Sequence, residues 1–446
     1  MSHKRIVVLG GGESGFGSAV LAKVKGFDVF LSDAGAIKEE YKNKLDEWKI
    51  PFEENGHTFE KILNAEEIIK SPGIPEKVSI IQSAVQNNIP VISEIEFAGR
   101  FTNAKTIGIT GSNGKTTTTT LIHNILSKAN SNVGLAGNIG SSYAYQVATE
   151  DKEWYVIELS SFQLDGMFDF KVDIAVLMNI TPDHLDRYDY NINNYIDSKF
   201  RILRNQTSSD FFIYCIDDRF THDNMNRFDP QSKMLPFSVR TENNTAAYLS
   251  GNNIISEFNG KRININRNNI RIDGIHNIYN IMASALAASA AGVPENVIIE
   301  TIEAFSGVEH RMEKVRERKG VLYINDSKAT NVDSVWYALD GMEKPIVWIA
   351  GGTDKGNDYS VLKDLAKTKV KALICLGIDN QKLIDSFQDY VDKIISTDNI
   401  EDAVKNAASI AENGDVVLLS PACASFDLFK NYEDRGKKFK EQVNKL

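Results

Sequence analysis

Short apolar runs rich in β-branched residues alternate with helical patterns along most of the chain, and this alternation constrains the fold more than any other feature. Several of the runs are continuously apolar, as in strands that are covered by helices on both faces. The pattern therefore predicts an α/β protein with mostly parallel sheets. Predicted strands lie at residues 6–9, 29–32, 106–110, 154–158, 174–178, 346–350, 372–376 and 416–420, and predicted helices include 115–128, 277–291, 294–305 and 400–412.

The chain has 446 residues, which is too many for one hydrophobic core. One boundary is predicted near residues 94–105, where a new strand and a glycine-rich loop begin. A second is predicted near residues 305–311, where a glycine turn and a charged stretch follow an alanine-rich helix. We therefore predict three α/β domains, at residues 1–96, 97–305 and 306–446. The asparagine-rich segment 241–269 is expected to form hairpins or irregular loops.

Composition excludes several classes of protein. Apolar residues make up 42% and charged residues 25%, as in an ordinary globular enzyme, and no run of 18 apolar residues exists that would predict a spanning helix. The N-terminal apolar run at 6–9 is too short for a signal peptide. A formal net charge of −10 argues against a nucleic-acid partner. Three widely spaced cysteines argue against a disulfide scaffold, so we expect a cytoplasmic protein with no membrane or nucleic-acid partner.

The first glycine-rich loop, Gly-Gly-Gly-Glu-Ser-Gly at 10–15, has the spacing G-x-G-x-x-G after a strand. Asp33 ends the next strand, where a dinucleotide site places a ribose-binding acid. Three interpretations stay open from these residues: a dinucleotide site of an oxidoreductase, a site for another nucleotide's phosphates, and a tight turn without a ligand.

The second loop, Thr-Gly-Ser-Asn-Gly-Lys-Thr-Thr at 110–117, is a stronger signal. Its backbone N–H groups are suited to phosphates, Lys115 to their charge and the Thr116 hydroxyl to Mg²⁺. The loop departs from G-x-x-x-x-G-K-[ST], since Ile109 stands where the first glycine belongs. We predict that it binds ATP or GTP.

Oxygen ligands for a metal are expected at the same edge of the sheet. Glu158 ends a predicted strand, and Mg²⁺ prefers carboxylate, hydroxyl and phosphate oxygens. A strand-ending glutamate in water is the alternative. The polar stretch at 179–188 follows another buried strand and is either part of this site or a solvated loop. Cys423 lies among small residues, which favours packing over a role as nucleophile.

Four motifs together resemble the Mur ligase family. They are Gly-Ser-Asn-Gly-Lys-Thr-Thr at 111–117, Glu-Leu-Ser-Ser-Phe-Gln-Leu at 158–164, Asn-Ile-Thr-Pro-Asp-His-Leu-Asp-Arg at 179–187 and Asn-Asp-Ser-Lys-Ala-Thr-Asn at 325–331. The similarity extends from the first glycine loop to Arg435-Gly436. The second and fourth motifs look specific to the member that adds D-glutamate, and the first marks only the superfamily.

The resemblance implies Rossmann-like first and third domains and a central, P-loop-ATPase-like domain with a mostly parallel sheet, which binds ATP and two Mg²⁺ ions. Lysine after a helical run is usually solvated, and only the resemblance gives Lys199 a role, as a carbamate made with CO₂. The catalytic residues implied are Lys115, Glu158, His184 and Lys199, with Thr116, Glu158, His184 and Lys199 as metal ligands. The implied ATP-binding residues are Gly111, Ser112, Asn113, Gly114, Lys115, Thr116, Thr117, Asn277, Arg311 and Asp326.

The resemblance also implies sites for the two other substrates. It replaces the dinucleotide cofactor at the first loop with the uridine diphosphate part of the substrate, which leaves Asp33 unexplained. An arginine that the family often carries near the uracil is missing, since this chain reads Ser-Asp-Ala-Gly at 32–35. The implied contacts of the uridine substrate are Gly12, Ser14, Gly15, Ser71 and Asn138, and those of D-glutamate are Lys328, Thr330, Lys355, Ser425 and Tyr432, where Tyr432 replaces the common phenylalanine.

The implied function is an ATP-dependent ligase that adds D-glutamate to UDP-N-acetylmuramoyl-L-alanine through an acyl phosphate in cytoplasmic peptidoglycan precursor synthesis. We expect a monomer. Alternatives are another amino-acid ligase of the superfamily, including one that adds glutamyl tails to folate, an oxidoreductase based on the first loop, and a nucleotide-regulated binding module based on the second loop alone.

Overall fold

The computed structural model describes residues 4–272, 274–354 and 356–446 and contains three mostly parallel sheets. The chain divides into two compact units, one made of the residues up to Ile270 with Asn277–Phe305, the other of Arg271–His276 with Ser306–Leu446. Among the described residues, no helix is both long enough and apolar enough to cross a membrane.

The first sheet has five parallel strands in the order β3-β2-β1-β4-β5. Side chains of β1 are buried on both faces: Ile6 and Val8 join one core cluster, and Val7 and Leu9 join another. The strands are β1 (Arg5–Leu9), β2 (Asp28–Ser32), β3 (Phe52–Glu53), β4 (Glu67–Lys70) and β5 (Val91–Ser93), and the helices are α1 (Glu13–Val24), α2 (Glu39–Glu47), α3 (Phe59–Ile62), α4 (Ser79–Gln86) and α5 (Glu94–Gly99).

The second sheet has nine strands in the order β14-β13-β12-β11-β10-β9-β6-β8-β7, and only the pairs β12–β13 and β13–β14 are antiparallel. Its strands are β6 (Lys105–Thr110), β7 (Val133–Gly137), β8 (Trp154–Glu158), β9 (Ile174–Leu177), β10 (Phe211–Cys215), β11 (Lys233–Ser238), β12 (Ala247–Ser250), β13 (Asn253–Phe258) and β14 (Lys261–Asn266). Its helices are α6 (Lys115–Lys128), α7 (Tyr143–Thr149), α8 (Ser161–Asp165), α9 (Ile192–Phe200), α10 (Arg219–Asn224), α11 (Ile275–Ala290) and α12 (Glu295–Ala304). The order brings the carboxyl ends of β9, β6, β8 and β7 side by side, which is where ligands bind in such sheets.

The third sheet has six strands in the order β15-β16-β20-β17-β18-β19, with only β15 antiparallel to its neighbour. Trp348 is fully buried at its centre. The strands are β15 (Glu313–Arg318), β16 (Val321–Asn325), β17 (Ile346–Ala350), β18 (Val370–Leu376), β19 (Ile394–Thr397) and β20 (Val416–Leu419), and the helices are α13 (Val332–Asp340), α14 (Lys363–Lys369), α15 (Gln381–Phe387), α16 (Ile400–Ile410) and α17 (Tyr432–Lys445).

The predicted fold class is confirmed, and the segment 241–269 does contain hairpins. Helix α16 ends two residues before the predicted end at 412, because a turn forms there in which the N–H of Glu412 donates to the Asp415 carboxylate at 2.8 Å. The domain boundaries at 96/97 and 305/306 stay a prediction.

Candidate functional site

The loop at residues 111–114 joins β6 to α6 and has the form of a phosphate-binding loop. Gly114 caps α6 with a left-handed φ of +86°, and a Cβ there would lie 2.5 Å from Oδ1 of Asn280, so glycine is required. Nζ of Lys115 donates to the carbonyl oxygens of Gly111 and Ser112, each at 2.7 Å. The loop therefore holds a lysine at the N-terminus of a long helix, an arrangement that attracts anions.

Residues that follow β9 hold this loop in place. The Ser112 hydroxyl donates to the carbonyl oxygen of Thr181 at 2.8 Å, and the N–H of Asn113 donates to Oδ1 of Asn179 at 2.8 Å. Thr116 and Thr117 are buried at the start of α6. The first residues of the polar stretch at 179–188 are thus bonded to this loop and are not merely solvated, and the assignment of the whole stretch to the site stays a prediction.

Glu158 is a buried carboxylate with one oxygen unused. Its side chain is 1% exposed at the end of β8. Oε1 accepts a hydrogen bond from Nδ2 of Asn138 at 2.8 Å, but Oε2 is buried with no hydrogen-bond partner among the described residues. An unpartnered buried carboxylate oxygen is costly unless a ligand satisfies it. This oxygen therefore fits the ligand set that Mg²⁺ prefers.

Lys199 is buried, so the interpretation from the residues alone, a solvated lysine, is wrong. It lies near the end of α9, is 2% exposed, and donates from Nζ to Gly111 O at 3.0 Å and to Thr110 Oγ1 at 3.2 Å. Burial, followed by the charge of Lys115, lowers the pKa of Lys199 well below its ordinary value, although nearby carboxylates oppose the shift. A lowered pKa increases the neutral amine, which is the form that reacts with CO₂.

His184 lies on the loop after β9 and adopts a left-handed φ of +54°. Its Nε2 is 3.6 Å from Oδ2 of Asp183, and its ring packs edge-on against Phe162. The guanidinium of Arg187 lies over the same Phe162 ring, 4.4 Å from its centroid, and donates to the carbonyl oxygen of Gly73 at 3.4 Å. The loop after β9 therefore contacts the turn after β4.

The segment 158–164 has a local structural function that the sequence interpretation did not identify. Ser160 and Gln163 form a capping box at the start of α8, with each side chain bonded to the other residue's backbone N–H. This box fixes the helix that carries Phe162.

The first glycine loop is held by Asp33. The Asp33 carboxylate accepts from the N–H of Gly11 at 2.6 Å and from the N–H of Gly35 at 2.8 Å. Ser14 and Ser71 meet through their hydroxyls at 3.4 Å, which brings two of the predicted uridine-substrate residues together. A Cβ on Gly12 would meet no atom within 4 Å, so the loop backbone is approachable there. Asp33 thus supports the loop, which explains this acid without a ribose contact.

In the second unit, Arg435 ties together the loops that follow β16, β17 and β20. The side chain is 1% exposed, and it donates to the Ser327 hydroxyl and to the carbonyl oxygens of Ser327, Gly351 and Cys423 at 2.8–3.3 Å. Burial lowers the pKa of Arg435 to about 10. All of these acceptors are neutral groups of the loops. The Arg435 side chain therefore holds the three loops together by hydrogen bonds and does not form an ion pair through them.

These loops carry the predicted D-glutamate residues. Nζ of Lys328 lies 5.2 Å from the centroid of the Tyr432 ring, and Ser425 is buried. The backbone groups of Thr353 and Ala424 pair at 2.8 and 3.1 Å, which places the chain beside Ser425 next to the loop after β17. Lys355, the other predicted lysine, lies outside the described residues.

Two predicted nucleotide residues, Arg311 and Asp326, also lie in the second unit. Asp326 accepts from the Ser420 hydroxyl at 2.8 Å and from the N–H of Met312 at 3.2 Å. Burial raises the pKa of Asp326 to about 6, and Arg311 opposes this shift. Nε of Arg311 is buried with no partner among the described residues. In the first unit, the remaining residue, Asn277, accepts from Nδ2 of Asn280 at 3.1 Å.

Comparisons with known proteins give a consistent result. Family models match three parts of the chain: the MurD N-terminal domain at residues 5–80, the Mur ligase middle domain at 109–288, and the Mur ligase, glutamate ligase domain at 310–423. A UDP-N-acetylmuramoylalanine–D-glutamate ligase of Christiangramia forsetii is 51% identical over 443 residues, covering 99% of this chain and 100% of the relative. The chain belongs to the Mur ligase family. An enzyme of the same name from Bacteroides fragilis is 52% identical over 444 residues, with 99% and 100% coverage.

Solved Mur ligase structures share the fold. UDP-N-acetylmuramate-alanine ligase of Thermotoga maritima matches with a TM-score of 0.63 at 19% identity, over 99% of this chain and 100% of that one. A pseudomurein peptide ligase of Methanothermus fervidus matches with the same TM-score at 20% identity, with 99% and 100% coverage. At this identity the likeness concerns the fold alone.

As a Mur ligase, the chain is an ATP-dependent enzyme of a family that typically uses Mg²⁺. The structure groups Lys115, Thr116, Glu158 and Lys199 at the carboxyl ends of β6 and β8 and groups Lys328, Ser425 and Tyr432 in the second unit. The sequence analysis named Asp33 but left it without a role once the resemblance replaced the dinucleotide cofactor, and the structure shows that it supports the first glycine loop. The supporting role of Arg435 was not predicted from the sequence. In the sequence, the only signal for Arg435 is its position in a helical segment that is rich in lysine.

Proposed function

We propose that this chain is the ligase that joins D-glutamate to UDP-N-acetylmuramoyl-L-alanine with hydrolysis of ATP to ADP and phosphate. The observation that carries the proposal is that relatives about half identical over 99% of the chain have this name. The geometry supports it, because the phosphate loop, a carboxylate with an unused oxygen and a buried lysine lie together. We further propose that the enzyme acts as a monomer in the cytoplasm.

The reaction begins with phosphoryl transfer from ATP. The alanine carboxylate of the uridine substrate attacks the γ-phosphorus, the bond to ADP breaks, and an acyl phosphate forms. Lys115 offsets the negative charge that spreads over the transferring group, and it exchanges its loop carbonyl acceptors for phosphate oxygens. Backbone N–H groups of residues 111–114 bind and orient the phosphates, which aligns the attacking carboxylate with the bond that breaks.

Two Mg²⁺ ions complete the proposed site. Glu158 and Thr116 would hold one ion, and His184 and Lys199 the other, with Lys199 as a carbamate. When bound, the ions supply positive charge that brings the phosphates and the substrate carboxylate together. The unused Oε2 of Glu158 supports the first assignment, and the lowered pKa of the Lys199 amine supports the carbamate.

The second step forms the amide bond. The amine of D-glutamate attacks the acyl carbon, and phosphate leaves as the C–N bond forms and the nitrogen loses a proton. Lys328, with Lys355, meets the two carboxylates of the amino acid, while Thr330, Ser425 and the Tyr432 ring orient it. Arg435 positions the loops that carry these residues. Nucleotide contacts by Asn277, Arg311 and Asp326 stay a prediction.

The uridine substrate is assigned to the first glycine loop. Gly12, Ser14 and Gly15 offer backbone N–H groups at the start of α1, and Ser71 lies next to Ser14. The Asp33 carboxylate stabilises this loop by accepting hydrogen bonds from the N–H groups of Gly11 and Gly35. The arginine that the family often carries near the uracil is missing from the residues after β2, so the proposal assigns no uracil contact.

Release of phosphate from ATP tests the proposal. Purified enzyme is supplied with ATP, Mg²⁺ and UDP-N-acetylmuramoyl-L-alanine, and D- and L-amino acids are added one at a time. Release should depend on all three substrates and occur with D-glutamate. Turnover with L-lysine or meso-diaminopimelate but not with D-glutamate would assign the chain to another ligase of the family, and reduction of a nicotinamide cofactor would restore the oxidoreductase alternative.

A further inference from the structure

Asn138 is bonded to Glu158 at two points. Its backbone N–H donates to the carbonyl oxygen of Glu158 at 2.9 Å, and its side-chain Nδ2 donates to Oε1 of the same residue at 2.8 Å. A carboxylate only accepts hydrogen bonds, so the amide must present its NH₂ group to Oε1. The contact therefore fixes the orientation of both side chains.

The backbone before Asn138 is shaped for this contact. Gly137 is the last residue of β7 and pairs in register with Glu158 at the end of β8. Its φ is +96°, and a Cβ there would lie 2.2 Å from the Glu158 carbonyl oxygen. Only glycine permits the chain to turn here and direct Asn138 across to the neighbouring strand.

The hydrogen bond from Asn138 makes the two carboxylate oxygens of Glu158 different. Oε1 is engaged by Asn138, and Oε2 is the atom that is buried without a partner among the described residues. A carboxylate held at one oxygen loses little additional rotamer freedom when its other oxygen binds a cation. Partners of this kind commonly affect metal affinity nearly as strongly as the ligands do.

We infer that Asn138 is a positioning residue for Glu158, which holds Oε2 ready for a divalent cation, rather than only a contact of the uridine substrate as the family resemblance implies. This inference rests on the proposed function, since it concerns the cation that accompanies the nucleotide. If the inference is correct, loss of the Asn138 side chain should weaken the binding of the metal more than the binding of the uridine substrate.

The test uses Mn²⁺ as the probe, measured by electron paramagnetic resonance on full-length enzyme with ADP present. Two variants remove the side-chain donor: Asn138→Ala shortens the side chain, and Asn138→Leu keeps its approximate size. Because Asn138 is exposed and its backbone bond is unchanged, both should fold, which a thermal melt checks. Mn²⁺ affinity should fall about 10- to 100-fold in both variants.

Ser71→Ala is the matched control, because Ser71 belongs to the predicted uridine site and contacts Ser14 instead of Glu158. It should raise the KM for the uridine substrate and leave Mn²⁺ affinity unchanged. If folded Asn138→Ala and Asn138→Leu bind Mn²⁺ within threefold of the unmodified enzyme, the inference is wrong. Failure of the unmodified enzyme to bind Mn²⁺ with ADP would instead count against the proposed function.

Discussion

Buried charged side chains have different surroundings in two regions of the molecule. One is the nucleotide region, which comprises the loop at 111–114 with Glu158 and Lys199, and the other is the amino-acid region, which comprises the loops around Arg435. In the first, Glu158 keeps an unpartnered oxygen and Lys199 is buried with a lowered pKa. In the second, the guanidinium of Arg435 is fully buried, but it donates to the Ser327 hydroxyl and to carbonyl oxygens of the surrounding loops. The first region therefore has the features that we expect of a site for charged ligands, whereas the second uses its buried charge to hold the loops. The unpartnered Oε2 of Glu158, and not the burial of charge alone, is therefore the observation that points to a binding site.

The largest effect should come from the lysines of the nucleotide region. Lys115→Ala should lower kcat by ~10²-fold or more, because charge on the transferring phosphoryl group loses its partner. Lys199→Ala should also remove most turnover, but acetate at high concentration should partly restore it by supplying an oxygen ligand. Steady-state phosphate release with and without acetate measures both. Lys115→Ala is the control that acetate should not rescue, and equal rescue of both variants would contradict the carbamate.

A smaller and more selective effect is expected from Lys328 in the amino-acid region. Lys328→Ala should raise the KM for D-glutamate by roughly 10- to 150-fold, since one charge-assisted hydrogen bond is lost. Lys363 is the matched control, because both lysines lie over a tyrosine ring, at 5.2 and 5.1 Å. Lys363→Ala should leave both KM values unchanged. A selective increase in the KM for the uridine substrate in Lys328→Ala would move this lysine to the other site.

Arg435 tests whether the amino-acid region depends on its buried cation for shape. Arg435→Met leaves three carbonyl oxygens without this donor, but it also removes the cost of burying the guanidinium charge. The net effect should be a free energy of unfolding that is lower by about 2–4 kcal/mol. Urea unfolding and the KM for D-glutamate should both respond. Arg316→Met is the control, because Arg316 is exposed and donates to helix carbonyls at 3.2 and 3.4 Å. Equal stability of the two variants would refute the role given to Arg435.

The smallest effect concerns pH. The pKa of Asp326 is raised from 3.8 to about 6, so the folded protein binds more protons than the unfolded chain between these values. The stabilisation by the protonated form is complete below about pH 4 and is lost as the pH rises through 6. Asp326→Asn should therefore gain stability relative to the unmodified protein over this range, by at most about 3 kcal/mol. Urea unfolding at pH 4, 5, 6 and 7 measures the difference, and a constant difference across these pH values would contradict the raised pKa.

The sequence predicted the candidate site best where residues lie at the ends of neighbouring parallel strands. The motif at 110–117 and the strand-ending Glu158 are local signals, and the parallel sheet brings them together as predicted. Burial of Lys199 was not predictable from the residues, because it depends on the packing of α9 against the loop after β6. The contact between Asn138 and Glu158 depends in the same way on β7 and β8 being neighbours. Arg435 is similar, since two of its three acceptor residues lie 84 and 108 residues away in the chain.

The amino acid that enters the product tests the central claim most directly. The enzyme is given ATP, Mg²⁺ and UDP-N-acetylmuramoyl-L-alanine with an equimolar mixture of isotopically distinguished D-glutamate, L-glutamate, L-lysine and meso-diaminopimelate, and the products are identified by mass spectrometry. The account predicts one product, the D-glutamyl adduct, formed in equal amount to ADP. A product containing any of the other three amino acids, or ADP formed without an adduct, would contradict it.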